Sequence, residues 1–118
     1  MLKTKVIYKQ LVFFWASCSI LLGAFGAHGL EAKFSDYQNK VWETASLYHL
    51  FATGLLLLFY FRGYKMSALC VFIGSLLFSL SLYALAFFNL KILGAITPFG
   101  GTLLALSFIF AYKESNQP

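Results

Sequence analysis

Four long apolar stretches, separated by short polar segments, dominate the pattern of hydrophobic and polar positions along the chain. They cover about residues 11–27, 44–61, 68–88 and 92–112, and none of them contains a lysine, arginine, aspartate or glutamate. Each is close to the ~20 residues that a helix needs to cross a ~30 Å hydrocarbon core. Lipid offers the backbone no hydrogen-bond partner, and the stretches lack the period-two alternation of strands. The pattern therefore predicts four membrane-spanning helices.

The connections between these stretches are short, which makes consecutive helices antiparallel neighbours. We therefore expect an all-α, integral membrane four-helix bundle with up-down-up-down topology. Residues 1–118 are expected to form a single four-span transmembrane domain. A cleaved signal peptide is the alternative for the first stretch, because lysines precede it and small residues end it. We expect this stretch to be retained as a membrane anchor.

The composition excludes a water-soluble globular protein. Hydrophobic residues make up 60% of the chain and charged residues only 11%, which leaves too little polar surface to cover a globule in water. The net charge is +5, but the basic residues are divided among termini and loops and form no single patch. The lipid bilayer is therefore the expected partner, and nucleic-acid binding is not expected.

The distribution of basic residues predicts the orientation in the membrane. One side of the predicted bundle carries Lys3, Lys5, Lys9, Arg62, Lys65 and Lys113, and the other carries Lys33, Lys40 and Lys91. Because positive residues are enriched in cytoplasmic segments, we expect a multi-pass protein of the cell (inner) membrane with both termini in the cytoplasm. The acidic segment between the first two spans then faces outward.

Small residues recur within the spans at spacings that let helices approach closely. In the first span they repeat every four residues, and such stripes are typical of packing surfaces between membrane helices. A proline in the fourth span is expected to distort that helix. The residues expected to pack the helices together are Ser19, Gly23, Gly26, Ala27, Gly74, Pro98, Gly100 and Gly101. A pathway for a solute along such a stripe is the alternative.

Two histidines, His28 and His49, provide the candidate chemistry, because ionisable groups at membrane depth are often functional. Antiparallel pairing is expected to bring them to a similar depth, where they share a polar pocket that opens outward. The predicted polar cluster consists of His28, Trp42, Tyr48, His49, Tyr83 and Thr97. A separate role for each histidine, as an anchor at the headgroup level, is the alternative.

No catalytic or metal-binding motif accompanies these histidines. The serines in the spans have no base within their own helices, and a nucleophile needs one. The two histidines could serve as axial haem ligands, but no third ligand or supporting carboxylate stands out in the spans. We therefore predict no catalytic residue, no metal site and no cofactor, and keep a haem- or metal-binding protein as an alternative.

Four short motifs follow one another along the chain: GAFGAHGL at 23–30, WETA at 42–45, FSLSLY at 78–83 and TPFGG at 97–101. With these motifs in this order, the chain resembles the YgdD-like family of small four-span inner-membrane proteins, which is the domain of unknown function 423 family. The resemblance implies a membrane location but no reaction. The positions of the family pattern are Gly23, Gly26, His28, Trp42, Tyr48, His49, Tyr83, Thr97, Pro98, Gly100 and Gly101.

The chain departs from this pattern at two positions. Ala52 stands where many members have a second histidine, and Leu80 stands where they have a glycine. A mechanism that needs two histidines in the second span is therefore not available here. We expect a non-enzymatic accessory, assembly or lipid- or partner-binding component, with a membrane-protein partner or a homo-oligomer as possible assemblies. A small oligomeric transporter or channel subunit is the alternative.

Overall fold

The computed structural model describes residues 2–118 and contains four long helices. They are α1 (Leu2–Leu30), α2 (Asp36–Phe61), α3 (Lys65–Phe88) and α4 (Lys91–Ser115). Each is long and apolar enough to cross a membrane, and each contains one of the four apolar stretches. No strand occurs within the described part of the chain. The predicted all-α membrane four-helix bundle is therefore confirmed.

Local sequence sets the ends of α2 and α3. The Ser35 hydroxyl accepts a hydrogen bond from the Gln38 backbone N–H at 3.2 Å, and the Gln38 side-chain oxygen accepts one from the Ser35 N–H at 2.9 Å. This reciprocal capping box satisfies two amides at the start of α2. Gly63 follows α2 with a φ of 75°, and Asn89 ends α3 with a φ of 55°. These left-handed residues turn the chain sharply, so that consecutive helices run antiparallel.

Three irregular turns interrupt the helices. A π-helical turn occupies Gly26–Leu30 at the end of α1, another occupies Leu76–Leu80 within α3, and α4 begins with a 3₁₀ turn at Lys91–Ala95. Pro98 lies in the first turn of the regular part of α4 and is exposed. A proline there removes no helical hydrogen bond. The expectation that Pro98 packs against a neighbouring helix is therefore wrong, and the irregular part of α4 lies directly before it.

Helix α3 is the centre of the bundle. In its most apolar segment 50% of the residues are buried, against 11% in that of α4. One core cluster joins α1, α2 and α3 through Trp15, Leu56 and Val71. A second cluster, toward the opposite end of the bundle, contains Trp42 and Tyr83. Aliphatic side chains and a few buried aromatic ones of α1, α2 and α3 thus form the interior, and α4 packs on the outer side of α3.

Two glycines let α3 and α4 approach each other through their backbones. A Cβ atom on Gly100 would lie 2.3 Å from the Phe78 backbone nitrogen and 2.6 Å from the Gly74 carbonyl oxygen. A Cβ on Gly74 would lie 3.0 Å from the Gly100 carbonyl oxygen. A Cβ on Gly101 would meet only the Phe78 ring, at 3.6 Å. Gly74 and Gly100 therefore form the closest crossing of these two helices.

The small-residue stripe of α1 is only partly covered. A Cβ on Gly26 would lie 2.2 Å from the Trp42 indole, so this position admits only glycine. A Cβ on Gly23 would meet nothing closer than Ser46, at 3.9 Å, and Ala27 is exposed. The expectation that Gly23 and Ala27 lie at a close helix contact is therefore wrong. The reason is that α2 contacts this part of α1 through Trp42, which packs on Gly26 and donates its indole N–H to the Leu22 carbonyl.

Candidate functional site

His49 lies at the centre of a buried polar network that joins three helices. Its side chain is 0% exposed. Its Nδ1 atom lies 3.0 Å from the hydroxyl of Tyr83 on α3, and its Nε2 atom lies 2.9 Å from the backbone carbonyl oxygen of Trp15 on α1. The imidazole also stacks on the Trp15 indole, with ring centroids 3.8 Å apart and an interplanar angle of 24°. One side chain of α2 thus holds both neighbouring helices.

These partners define the tautomer of His49. A carbonyl oxygen only accepts hydrogen bonds, so Nε2 carries the proton and donates it to Trp15. Nδ1 is then unprotonated and accepts the hydrogen bond of the Tyr83 hydroxyl. Both ring nitrogens are used within the protein. Coordination of a metal or haem iron by this imidazole would break one of the two bonds.

The network extends along α3 through hydroxyl groups. The Trp15 indole N–H donates to the Ser75 hydroxyl at 2.9 Å, and the Ser79 hydroxyl donates to the Ala45 carbonyl at 3.1 Å. The Ser46 hydroxyl oxygen lies 3.4 Å from that of Tyr83. In lipid each polar group needs a partner within the protein, and such bonds contribute roughly 0.6 kcal/mol each. The network therefore stabilises the bundle and fixes the register of its helices.

Sequence reasoning did not identify Trp15 as part of this site. Tryptophans in membrane proteins are enriched at the headgroup level. Trp15 lies well inside the first apolar stretch instead, and an indole N–H at that depth needs an acceptor. The position of Trp15 within an apolar stretch is therefore the sequence signal that it needs a partner in the core. Its acceptor, Ser75, is 60 residues away in sequence and is found only once the helices are packed.

Of the other predicted cluster residues, Trp42 lies beside the network, whereas Tyr48 and Thr97 lie apart from it. Trp42 contacts Tyr83, with ring centroids 4.6 Å apart, and its indole N–H donates to the Leu22 carbonyl at 2.8 Å. Tyr48 is 44% exposed and lies beside a phenylalanine ring of α3. Thr97 forms a 2.7 Å hydrogen bond with Ser81, which links α4 to α3. The structure thus unites Trp42, His49 and Tyr83 but not the remaining residues.

His28 does not belong to the network. It is exposed, whereas Gly26 and Leu30, two residues before and after it, are buried. Because those two residues face the core within one π-helical turn, His28 faces away from it. The expectation that His28 and His49 share a pocket is therefore corrected by the structure.

A groove of about 760 Å³ lies between α1 and α2, next to the buried network. Its floor is the partly covered small-residue stripe, including Gly23 and Gly26, together with Ser46. Its apolar walls include Ile20, Leu47 and Leu50, all of which are substantially exposed. We call this feature the α1–α2 groove. It offers an apolar surface that the rest of the chain leaves open.

The rim of the α1–α2 groove is acidic. Glu31, Asp36 and Glu43 line it, and they are all the acidic residues at this end of the bundle. Of the three lysines at the same end, only Lys40 lines the groove; Lys91 lies 5.5 Å from the centre of the Tyr37 ring instead. The rim therefore has a net negative charge, although the whole chain carries +5. This charge pattern favours cations.

Most of the network and the groove floor lie in the part of the chain that is similar to known proteins. A sequence family described as protein of unknown function (DUF423) matches residues 22–101, which include the groove floor from Gly23 onward, His49 and Tyr83, but not Trp15. The UPF0382 membrane protein YwdK of Bacillus subtilis is 41% identical over 102 residues, which cover 80% of this chain and 83% of the relative. UPF0382 membrane proteins of Staphylococcus epidermidis and Staphylococcus haemolyticus are 40% and 38% identical, over 80% and 86% of this chain and 82% and 90% of theirs. No solved structure matches the chain.

Proposed function

Because the chain belongs to the DUF423 family of membrane proteins, whose description names no activity, we propose its function from its geometry: it is a non-enzymatic membrane protein that binds a cationic amphiphile in the α1–α2 groove. One observation carries the proposal, namely the combination of an apolar floor with an acidic rim. A molecule with an apolar chain and a positively charged head group matches both parts.

The size and position of the groove support a lipid-like ligand. A volume of about 760 Å³ lies within the range of roughly 300–1,000 Å³ that is typical of small-molecule sites. Ile20, Leu47 and Leu50 provide apolar contact for a chain within the hydrocarbon region. The carboxylates of Glu31 and Glu43 lie toward the loop end, where a head group would reach water. The ligand would enter sideways from the bilayer.

The buried network supports binding over catalysis. Both nitrogens of His49 are engaged, so it has no free lone pair with which to act as a base. The Ser19 hydroxyl is buried and donates to the carbonyl of Ala16 in its own helix at 2.6 Å. Ser75 likewise donates to a carbonyl within α3. A nucleophile requires a neighbouring base, and these serines have none.

Tryptophan fluorescence provides the test, because Trp42 lines the groove and Trp15 does not, although each side chain is only 6% exposed. The protein is placed in nanodiscs of neutral lipid, and a nitroxide-labelled alkylammonium is added. We expect saturable quenching of Trp42 fluorescence by this cation. A nitroxide-labelled carboxylate with the same chain should quench less, because the acidic rim repels it.

A matched pair of variants separates groove binding from general partition into lipid. Gly23→Leu places a side chain in the groove, whereas Gly54→Leu adds the same side chain at an exposed position of α2 with no atom within 4 Å. Saturable quenching should be lost in Gly23→Leu and kept in Gly54→Leu. Equal quenching by the cation and the carboxylate, or the same loss in both variants, would contradict the proposal.

A further inference from the structure

A second cleft, of about 500 Å³, lies at the opposite end of the bundle, where both termini are found. It is formed by the start of α1, the end of α2 and the start of α3. Lys5 and Lys65 line it, together with Tyr8, Tyr60 and Tyr64. We call it the terminal cleft. It is separate from the α1–α2 groove and has the opposite charge.

The charge at this end of the bundle is strongly positive. Six of the nine basic residues lie here, and Glu114 is the one acidic residue of the chain at this end. The Glu114 carboxylate is engaged by the first turn of α3: it accepts hydrogen bonds from the Met66 N–H at 3.2 Å, the Ser67 N–H at 2.9 Å and the Ser67 hydroxyl. The negative charge of Glu114 is therefore stabilised by donors at the start of α3. Lys5 and Lys65 remain to attract an anion in the cleft.

The lining of the terminal cleft combines these charges with apolar and aromatic surface. Ala68 and Leu69 contribute aliphatic atoms from α3. Tyr8 packs edge-to-face on Phe72, with ring centroids 5.7 Å apart. The Tyr8 hydroxyl oxygen is shielded from water and forms no hydrogen bond with any group of residues 2–118. A buried hydroxyl without a partner is unfavourable, so a ligand that supplies one would be bound more tightly.

From this combination we propose that the terminal cleft binds the phosphate group of an anionic phospholipid. The two lysine ammonium groups neutralise the head group, and their flexible stems let them reach it. Tyr60 and Tyr64 lie where tyrosines commonly meet lipid head groups. Basic pockets between membrane helices are suited to such head groups. A small reorientation of Tyr8 gives its hydroxyl an oxygen acceptor on the lipid.

The test follows the thermal unfolding of the purified full chain in detergent by circular dichroism. Phosphatidylglycerol, phosphatidylcholine with the same acyl chains, and inorganic phosphate at matched ionic strength are each titrated. We expect phosphatidylglycerol to raise the Tm in a saturable way and more than phosphatidylcholine does, because only bound ligand stabilises the folded state. Inorganic phosphate should leave the Tm unchanged.

Single substitutions locate the binding. Lys5→Gln and Lys65→Gln should each raise the apparent Kd for phosphatidylglycerol about fivefold. Lys9→Gln is the matched control, since Lys9 is an exposed lysine of the same helix that does not line the cleft. Tyr8→Phe should weaken lipid binding without lowering the Tm of the lipid-free protein, which distinguishes a ligand contact from a structural one.

Three results would overturn the proposal. Equal stabilisation by the two phospholipids would show that the head-group charge is not recognised. An equal effect of Lys9→Gln and Lys5→Gln would show general attraction to a basic surface. A Tm shift reproduced by inorganic phosphate would assign the cleft to a free anion.

Discussion

His49 combines two hydrogen bonds and a stacked indole in one fully buried side chain, and it illustrates how single residues hold this bundle together. Its partners come from two other helices, 34 residues away in sequence on either side. The presence of a histidine in an apolar span indicates that it needs partners. Which partners it has depends on how three helices are rotated against each other, and the sequence of α2 does not contain that information.

Substitution of the two histidines should give very different results. His49→Ala leaves a cavity and unpaired groups at Tyr83 and Trp15, so we expect a loss of roughly 2–4 kcal/mol in the free energy of unfolding in detergent. His28 is exposed, and His28→Ala should change this energy by less than about 0.5 kcal/mol. The effects in the double variant should add, because the two residues share no partner. Clear non-additivity would mean that they interact after all.

At the scale of helices, the close crossing of α3 and α4 requires Gly100 but not the adjacent Gly101. A Cβ on Gly100 would overlap the backbone of α3 at Phe78, whereas a Cβ on Gly101 makes an ordinary contact. Gly100→Ala should therefore destabilise the protein by about 1–3 kcal/mol through overpacking, and Gly101→Ala should be nearly neutral. Chemical unfolding of both variants in the same detergent measures the difference. Equal stability of the two variants would show that α3 and α4 do not approach closely at Gly100.

The helices themselves could be predicted from the sequence because their signal is local. Length and the absence of charge suffice to identify a span, and each predicted stretch lies within one helix. The π-helical turns at Gly26–Leu30 and Leu76–Leu80 could not be predicted, because they depend on packing between helices. The first of these turns directs His28 outward, and a Cβ on Gly23 would meet only Ser46 of α2. The partly uncovered stripe that forms the groove floor was therefore missed.

At the scale of the whole molecule, the two ends of the bundle carry different charges. The end with the termini has a strong positive excess, and at the other end all the carboxylates gather at the α1–α2 groove. The excess of basic residues predicts a cytoplasmic location of both termini. The two proposed ligands follow the same division, with a cation at one end and an anionic phosphate at the other.

This orientation can be measured by cysteine labelling in intact cells. In a background in which Cys18 and Cys70 are replaced by alanine, Lys33→Cys lies in the exposed turn between α1 and α2, and Ser115→Cys lies at the end of α4. An impermeant maleimide added outside should label the former and spare the latter until the cells are opened. The reverse pattern would place the groove in the cytoplasm.

Photoaffinity labelling tests the proposed groove most directly. An alkylammonium with a diazirine in its chain is bound to the protein in nanodiscs of neutral lipid, cross-linked by light, and located by mass spectrometry of the digested chain. We expect labels concentrated at Gly23, Ser46 and Leu47, which excess unlabelled alkylammonium removes. Labels spread evenly over the lipid-facing positions of α2, such as Gly54 and Leu58, and insensitive to the competitor would contradict binding in the groove.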